Sequence, residues 1–348
     1  MNPLRVFDDE PRRMPAKIAA LFVLLVAVNI GAWVWAVTAF HDYPVLLGTA
    51  FVAYSFGLRH AFDADHIAAI DNVTRKLMGE GRRPISTGFF FSLGHSTIVV
   101  ALTLAIVTAT AALQDRFDAL KEVGGLIGTS VSALFLFVVA LANIAILIST
   151  YRTFRRVKNG GRLVEQDLDD ALAGGGVMAR LFRPVFGVVR QSWHMYPLGL
   201  LFGLGFDTAT EVGLLGISAS QASQGLSIWS ILVFPALFTA GMSLIDSVDS
   251  VLMLGAYNWA FVKPLRKLYY NMTITAVSVV VALLVGGLET LGLVGSRLQL
   301  QGVFWDGVDT LNEHFGLIGY VIVALFIVSW IVSMLVYRLK GYDEVVSA

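Results

Sequence analysis

The sequence predicts an all-α, polytopic membrane protein with eight transmembrane helices. Of its 348 residues, 56% are hydrophobic and only 14% are charged, whereas soluble domains carry about 45–50% and 25%. The mean hydropathy is +0.73. A helix that crosses a bilayer needs roughly 20 mostly apolar residues. Eight stretches meet this requirement and are called spans one to eight: 17–40, 44–70, 85–112, 125–150, 195–218, 227–260, 268–293 and 315–338.

The distribution of lysine and arginine predicts how these spans are oriented. If the N-terminus is cytoplasmic, the cytoplasmic segments hold 21 of the 25 basic residues, and Arg59 lies within a span. The outer segments then hold only Arg116, Lys121 and Arg297. An excess of positive charge marks cytoplasmic loops. The pattern therefore predicts an even number of spans, with both termini in the cytoplasm.

Two spans and one loop have features of their own. The first apolar run, 18–40, is too long for the core of a signal peptide, so it is interpreted as a retained span. The sixth is too long for one straight crossing: it is tilted, broken near Pro235 or Gly241, or extended beyond the membrane. The charged segment 151–192 contains three consecutive glycines. This composition predicts that the segment is a cytoplasmic linker between an N-terminal half, 1–150, and a C-terminal half, 193–348.

The composition also excludes several functions. A net charge of zero argues against nucleic-acid binding. The chain has no cysteine, so a metal site must use histidine, carboxylate, methionine, hydroxyl or backbone ligands. No Gly-rich phosphate-binding loop of the P-loop type is present, and nothing indicates an ATPase partner.

Span two carries an unusual density of ionisable residues, in FGLRHAFDADHIAAIDN. Such groups are costly in a membrane and mark function by default. At about 100° per residue, His60, Asp63 and His66 share one broad arc of an ideal helix, whereas Asp65 falls nearly opposite. Either the helix is distorted here or Asp65 faces another helix. Imidazole and carboxylate suit nickel, cobalt or zinc; the alternative is a structural ion-pair cluster around Arg59.

Three further spans carry buried polar groups. His95 lies in the middle of span three, beside a glycine that permits close helix packing. Span five holds Asp207 and Glu211 on one helical face, and span six holds Asp246 and Asp249. Paired carboxylates repel each other, and a cation or a shared proton relieves this repulsion. These four residues are candidates for the metal site or its path.

Short sequence similarities suggest an internal repeat. Spans two and five both contain Phe-Gly-Leu followed by Phe-Asp, at 56–63 and 202–207, and spans three and six share Gly-X-Ser. The predicted directions of the paired spans are opposite. This pattern indicates a possible inverted repeat of two four-helix halves, an arrangement common in transporters with a substrate site at the midplane.

These motifs resemble those of the nickel/cobalt transporter family of secondary permeases. The family signature, His-X4-Asp-His, is present as His60, Asp65 and His66, and LGHSTIVV, LGFDTATEV and GMSLIDSVDS also match. The last motif has serine after each aspartate, where the family usually has threonine and then glycine. The resemblance implies uptake of nickel or cobalt across the bacterial cytoplasmic membrane, with the ion as transported substrate and no cofactor. It does not imply which metal is preferred.

The resulting hypothesis is alternating access around one metal site, with a divalent transition-metal ion and the lipid bilayer as partners; the sequence does not give the oligomeric state. Nitrogen ligands would come from His60, His66 and His95, and an oxygen ligand from Asp63 or Asp65. The remaining carboxylates would line the path, relay protons or support the ligands. The alternatives are an intramembrane metalloenzyme, which the absence of a His-Glu-X-X-His motif disfavours, and a metal efflux protein.

Overall fold

The computed structural model describes residues 7–108, 114–158, 189–204, 209–260 and 264–339, and its regular secondary structure in these ranges is entirely helical. A short 3-10 turn, Ser192–His194, precedes α6. The α-helices are α1 Met14–Phe40, α2 Pro44–His60, α3 Ala64–Gly79, α4 Thr87–Thr108, α5 Gln114–Lys158, α6 Met195–Phe202, α7 Ala209–Ser223, α8 Ile228–Ile231, α9 Val233–Ala260, α10 Pro264–Arg297, α11 Val303–Glu313 and α12 Phe315–Leu339.

The described helices confirm a polytopic membrane protein. Five segments are long and apolar enough to cross a bilayer: Met14–Phe40, Thr87–Thr108, Leu126–Thr153, Ile228–Ala256 and Met272–Arg297. Two helix pairs also qualify if each bent pair is one span, α2 with α3 at 50° and α11 with α12 at 74°. This gives five to seven spans. The remaining predicted span, 195–218, corresponds to α6 and α7, and residues 205–208 between them lie outside the described ranges.

The predicted sixth span is interrupted at its beginning and is continuous afterwards. Ser227 caps the short α8 by accepting a hydrogen bond from the backbone N–H of Ser230, at 3.2 Å. A break at Leu232 follows, and α9 then runs through both Pro235 and Gly241. Proline is tolerated in a first helical turn, where its missing N–H group has no intrahelical partner.

Span two is broken beside its histidines. Helix α2 ends at His60 and α3 begins at Ala64. Between them, Asp63 has an extended backbone, with φ −65° and ψ 144°. Of the two alternatives that the sequence left open, the structure therefore shows the distorted helix. Angles measured around one ideal helix do not apply across this break.

Close helix pairs surround α9 and α4. A Cβ atom on Gly57 of α2 would overlap the backbone of Phe238 in α9, and one on Gly94 of α4 would overlap the backbone of Tyr196 in α6. The close approach predicted at Gly94 is thus confirmed. Helices α2 and α3 pack against α9, while α6 and α7 pack against α4. Apolar side chains of α1, including Val23 at 69% exposure, face outward.

Candidate metal centre

Three histidines from separate segments meet in the interior. His60 is the last residue of α2, His66 lies in the first turns of α3, and His95 lies in the middle of α4. Their relative exposures are 2%, 0% and 3%. One nitrogen from each ring lies within 4.8 Å of the others. The break after α2 makes this possible, because it turns the start of α3 back toward the end of α2.

Asp63 orients the imidazole of His60. The Nδ1 atom of His60 lies 2.8 Å from a carboxylate oxygen of Asp63 and 3.2 Å from the hydroxyl of Thr210 in α7. A carboxylate at this distance holds the proton on Nδ1 and directs the lone pair of Nε2 to the opposite side of the ring. His60 therefore presents Nε2 to the centre.

Glu211 supplies an oxygen beside two of the histidines. Its Oε1 atom lies 2.8 Å from Nε2 of His95 and 3.8 Å from Nε2 of His60, and the two nitrogens are 2.9 Å apart. A point between these atoms lies ~2 Å from all three, the usual distance from a divalent metal to nitrogen and oxygen ligands. Glu211 is 1% exposed, so a cation there would compensate its charge.

His66 makes no hydrogen bond to any described residue through either ring nitrogen. Its Nδ1 atom lies 3.4 Å from a carboxylate oxygen of Asp246 in α9, and both side chains are fully buried. A buried imidazole is normally hydrogen-bonded. The absence of hydrogen bonds on this ring indicates a metal ligand, and Asp246 lies close enough to Nδ1 to support the ring.

This arrangement suits a borderline divalent cation. Three imidazoles and one carboxylate, without thiolate, are ligands typical of nickel, cobalt or zinc rather than magnesium or calcium. Aromatic rings line the centre: the ring of Phe91 lies 4.7 Å from that of His66, and the ring of Phe238 lies 5.5 Å from that of His60. Because these four polar side chains are buried, the centre is shielded from solvent.

The other candidate residues have different positions. Asp65 lies in the first turn of α3 and is partly exposed, outside the three-histidine cluster. Asp249 lies one turn beyond Asp246 on α9 and is also partly exposed. Asp207 lies outside the described residues. Arg59 makes no ion pair with any described carboxylate, so the alternative of a structural ion-pair cluster around it has no support among the described residues.

Several polar contacts of the interior were not anticipated from the sequence. Thr210 contacts the His60 ring. Spans four and seven also contribute polar side chains to the interior, Asn143 and Glu289, and both are buried. The hydroxyl of Ser132 donates to Glu289 at 2.7 Å. Glu289 could have been recognised from the sequence, because it is an acidic residue within an otherwise apolar span.

Comparison with known proteins decides the family. The profile of the NicO family, described as high-affinity nickel-transport protein, matches residues 46–336. The chain belongs to this family. It is therefore a nickel transporter and not an enzyme, and nickel is its substrate rather than a cofactor. No solved structure shows significant similarity to the chain.

Relatives of this NicO member match over nearly the whole chain. A high-affinity nickel transport protein of Cupriavidus necator is 62% identical over 332 residues, covering 95% of each chain. The nickel transporter NixA of Staphylococcus aureus is 42% identical, covering 96% of this chain and 97% of its own. The cobalt transport protein NhlF of Rhodococcus rhodochrous is 40% identical, covering 95% and 94%.

Replacing Asp63 with asparagine is expected to weaken nickel binding by roughly 10- to 100-fold, the usual cost of losing a group that orients a metal-bound histidine. Equilibrium dialysis of the purified protein with radioactive nickel measures this. Asp42→Asn is a matched control, because it removes a similar contact, 2.9 Å from His41, at the exposed end of α1. Equal affinities for Asp63→Asn and Asp42→Asn would contradict the orienting role.

Proposed function

We propose that the protein imports nickel by alternating access around a single centre formed by His60, His66, His95 and Glu211. The observation that carries this proposal is the buried His66 ring, whose nitrogens make no hydrogen bond to a described residue and which lies beside two other imidazoles. The names of the relatives supply the metal, since several are called nickel transport proteins.

The carboxylates have distinct roles in this proposal. Glu211 is an oxygen ligand, because it touches His95 directly. Asp63 and Asp246 position His60 and His66 from behind the rings. Asp65, from the same signature, and Asp207, in the other half, belong to the path of the ion.

The topology proposed from the charge distribution has eight spans, with both termini in the cytoplasm of a bacterium and the protein in its cytoplasmic membrane.

Packing supports an inverted repeat in which span two corresponds to span five and span three to span six. Span two packs on span six, and span five packs on span three, as a two-fold axis would require. The paired spans are three positions apart in the order of the eight spans. A repeat of two four-helix halves would instead pair spans four positions apart, such as two and six. Those two spans run in the same direction, so they do not form an inverted pair.

Membrane potential is sufficient as a driving force. An inside-negative potential favours inward movement by ~2.3 kcal/mol per charge per 100 mV, hence by ~4.6 kcal/mol for a divalent ion. No ATP-binding loop is then required.

Cobalt is a second candidate substrate. The cobalt transport protein NhlF matches this chain over 95% of its length. Its name assigns cobalt to a protein 40% identical to this chain, and a site of three imidazoles and one carboxylate accepts either ion.

Uptake by proteoliposomes tests the proposed function. Purified protein, with radioactive nickel at submicromolar concentration outside, is expected to accumulate the ion at least about tenfold faster when an inside-negative potential of ~100 mV is imposed. Unlabelled cobalt, in a parallel assay, tests the second substrate by competition. Protein-free liposomes are the control. Accumulation without any response to potential would contradict the proposed driving force, and expulsion of preloaded nickel against the potential would identify an efflux protein.

A further inference from the structure

A hydrogen-bonded series of buried hydroxyl groups extends from the metal centre toward the membrane face where α4 begins. Ser92 of α4 donates to Ser243 of α9 at 3.0 Å. Farther along the same two helices, the hydroxyls of Thr87 and Ser250 are 2.6 Å apart, and that of Thr74 in α3 lies 2.8 Å from Thr87. All these groups are buried. They follow α3 and α9 away from the histidines to the face where the loop 80–86 and its basic residues lie.

Carboxylates lie along the same route. Asp249 follows Asp246 by one turn on α9, and its Oδ2 atom is buried without a hydrogen bond to any described residue. Asp71, 0% exposed, lies on α3 five residues beyond His66. The hydroxyl of Ser278 in α10 donates to Asp71 at 2.8 Å. Oxygen ligands thus continue the path of a cation that leaves the histidine centre.

Arg75 follows Asp71 by about one turn on α3. The charge count assigned Arg75 to a cytoplasmic segment, but its side chain is only 5% exposed. Its guanidinium donates to the hydroxyl of Thr275 in α10 at 3.0 Å and to the amide oxygen of Asn72 at 3.2 Å. Asn143 of α5 donates to the same oxygen at 2.6 Å. These bonds join α3, α5 and α10, and they bury an arginine, which is normally solvated.

The opposite side of the centre is closed by apolar packing. One cluster there contains Ala53 of α2, Val99 of α4 and Phe234, Leu237 and Phe238 of α9, all buried. Van der Waals packing of this kind offers a departing ion no ligands. The two sides of the centre therefore differ in chemistry. The described hydroxyls on the Arg75 side form a hydrogen-bonded series, whereas the buried hydroxyls of Ser96 and Thr103, on the other side of His95 in α4, make no hydrogen bond to a described residue.

We propose that the hydroxyl and carboxylate route from His66 to Arg75 is the release path to the cytoplasm and that Arg75 is its inner gate. A fixed positive charge at the end of the path repels a divalent cation while the network is intact. Separation of α3 from α5 and α10 would remove this barrier and admit water. The inference rests on the proposed function, which supplies the metal centre and the orientation of the chain.

Because the chain contains no cysteine, a single introduced cysteine reports access without background. Ser250→Cys is placed on the proposed path, and Leu237→Cys, equally buried in the apolar cluster, is the matched control. In inside-out vesicles, a positively charged, membrane-impermeant thiol reagent is expected to modify the cysteine of Ser250→Cys at least about tenfold faster than that of Leu237→Cys. Equal rates would overturn the path.

The gate is tested in the Ser250→Cys background. Arg75→Gln is expected to raise the modification rate at least about tenfold, whereas Arg75→Lys, which keeps the charge, leaves it within about threefold. Nickel binding by purified Arg75→Gln protein, measured by equilibrium dialysis, is expected to stay within about threefold of the parent. Loss of binding, or unchanged modification by Arg75→Gln, would overturn the gate. Nickel uptake by the wild type is measured separately, so a failed path and a failed function are distinguishable.

Discussion

Replacing His66 with alanine is expected to lower nickel uptake by at least about 100-fold at submicromolar nickel. The reason is that loss of a direct ligand costs more than loss of a group that orients a ligand, which alone costs roughly 10- to 100-fold. His66 is fully buried and its ring nitrogens lack hydrogen bonds within the described structure. Its replacement therefore breaks no hydrogen bond between described residues. Uptake of radioactive nickel by intact cells measures the effect.

His41→Ala provides the matched control for this experiment. His41 is exposed at the end of α1, and its ring pairs with Asp42 rather than with the centre. Its replacement is expected to leave uptake within about twofold of the wild type. Thermal unfolding in detergent should show that both variants are folded. Undiminished uptake by folded His66→Ala protein would eliminate the histidine centre as the transport site.

The sequence predicted the membrane class and the residues of the centre because membrane insertion makes both conspicuous. His60, His66 and His95 are polar groups in apolar spans, and such groups are rare unless they have a function. Their convergence was harder to predict. No proline or glycine occurs between His60 and Ala64, so ordinary helix-breaking signals did not mark the break that brings them together.

Asp63 explains why this break is stable and why it was difficult to foresee. Aspartate at this position commonly caps a following helix, and Asp63 does occupy the N-cap position of α3. Its side chain makes no capping hydrogen bond and contacts the His60 ring instead. The residue thus contributes to the site, and a local capping rule would have assigned it to the helix.

Arg75 shows a different limit of sequence reasoning. Counting charges correctly groups it with the basic residues at one face of the membrane, but the count does not distinguish a solvated arginine from a buried one. Its environment depends on Thr275, which is 200 residues away in the chain, and on Asn143 through Asn72. Such a network becomes visible only when the helices are assembled.

Replacing Gly57 with leucine is expected to separate α2 from α9 and to abolish high-affinity nickel binding. A Cβ atom at Gly57 would overlap the backbone of Phe238. Backbone atoms cannot move aside as a flexible side chain does, so the cost should reach or exceed the upper end of the ~1–3 kcal/mol typical of overpacking. Thermal unfolding in detergent and equilibrium dialysis with nickel measure the two effects.

Gly48→Leu tests the same substitution on the same helix without the contact. A Cβ atom at Gly48 meets nothing within 4 Å, so this variant is expected to retain the unfolding temperature and nickel affinity of the wild type. Similar losses in both variants would mean that leucine itself disturbs α2. Loss confined to Gly57→Leu would show that the close α2–α9 contact holds His60, three residues beyond Gly57, within reach of the other ligands.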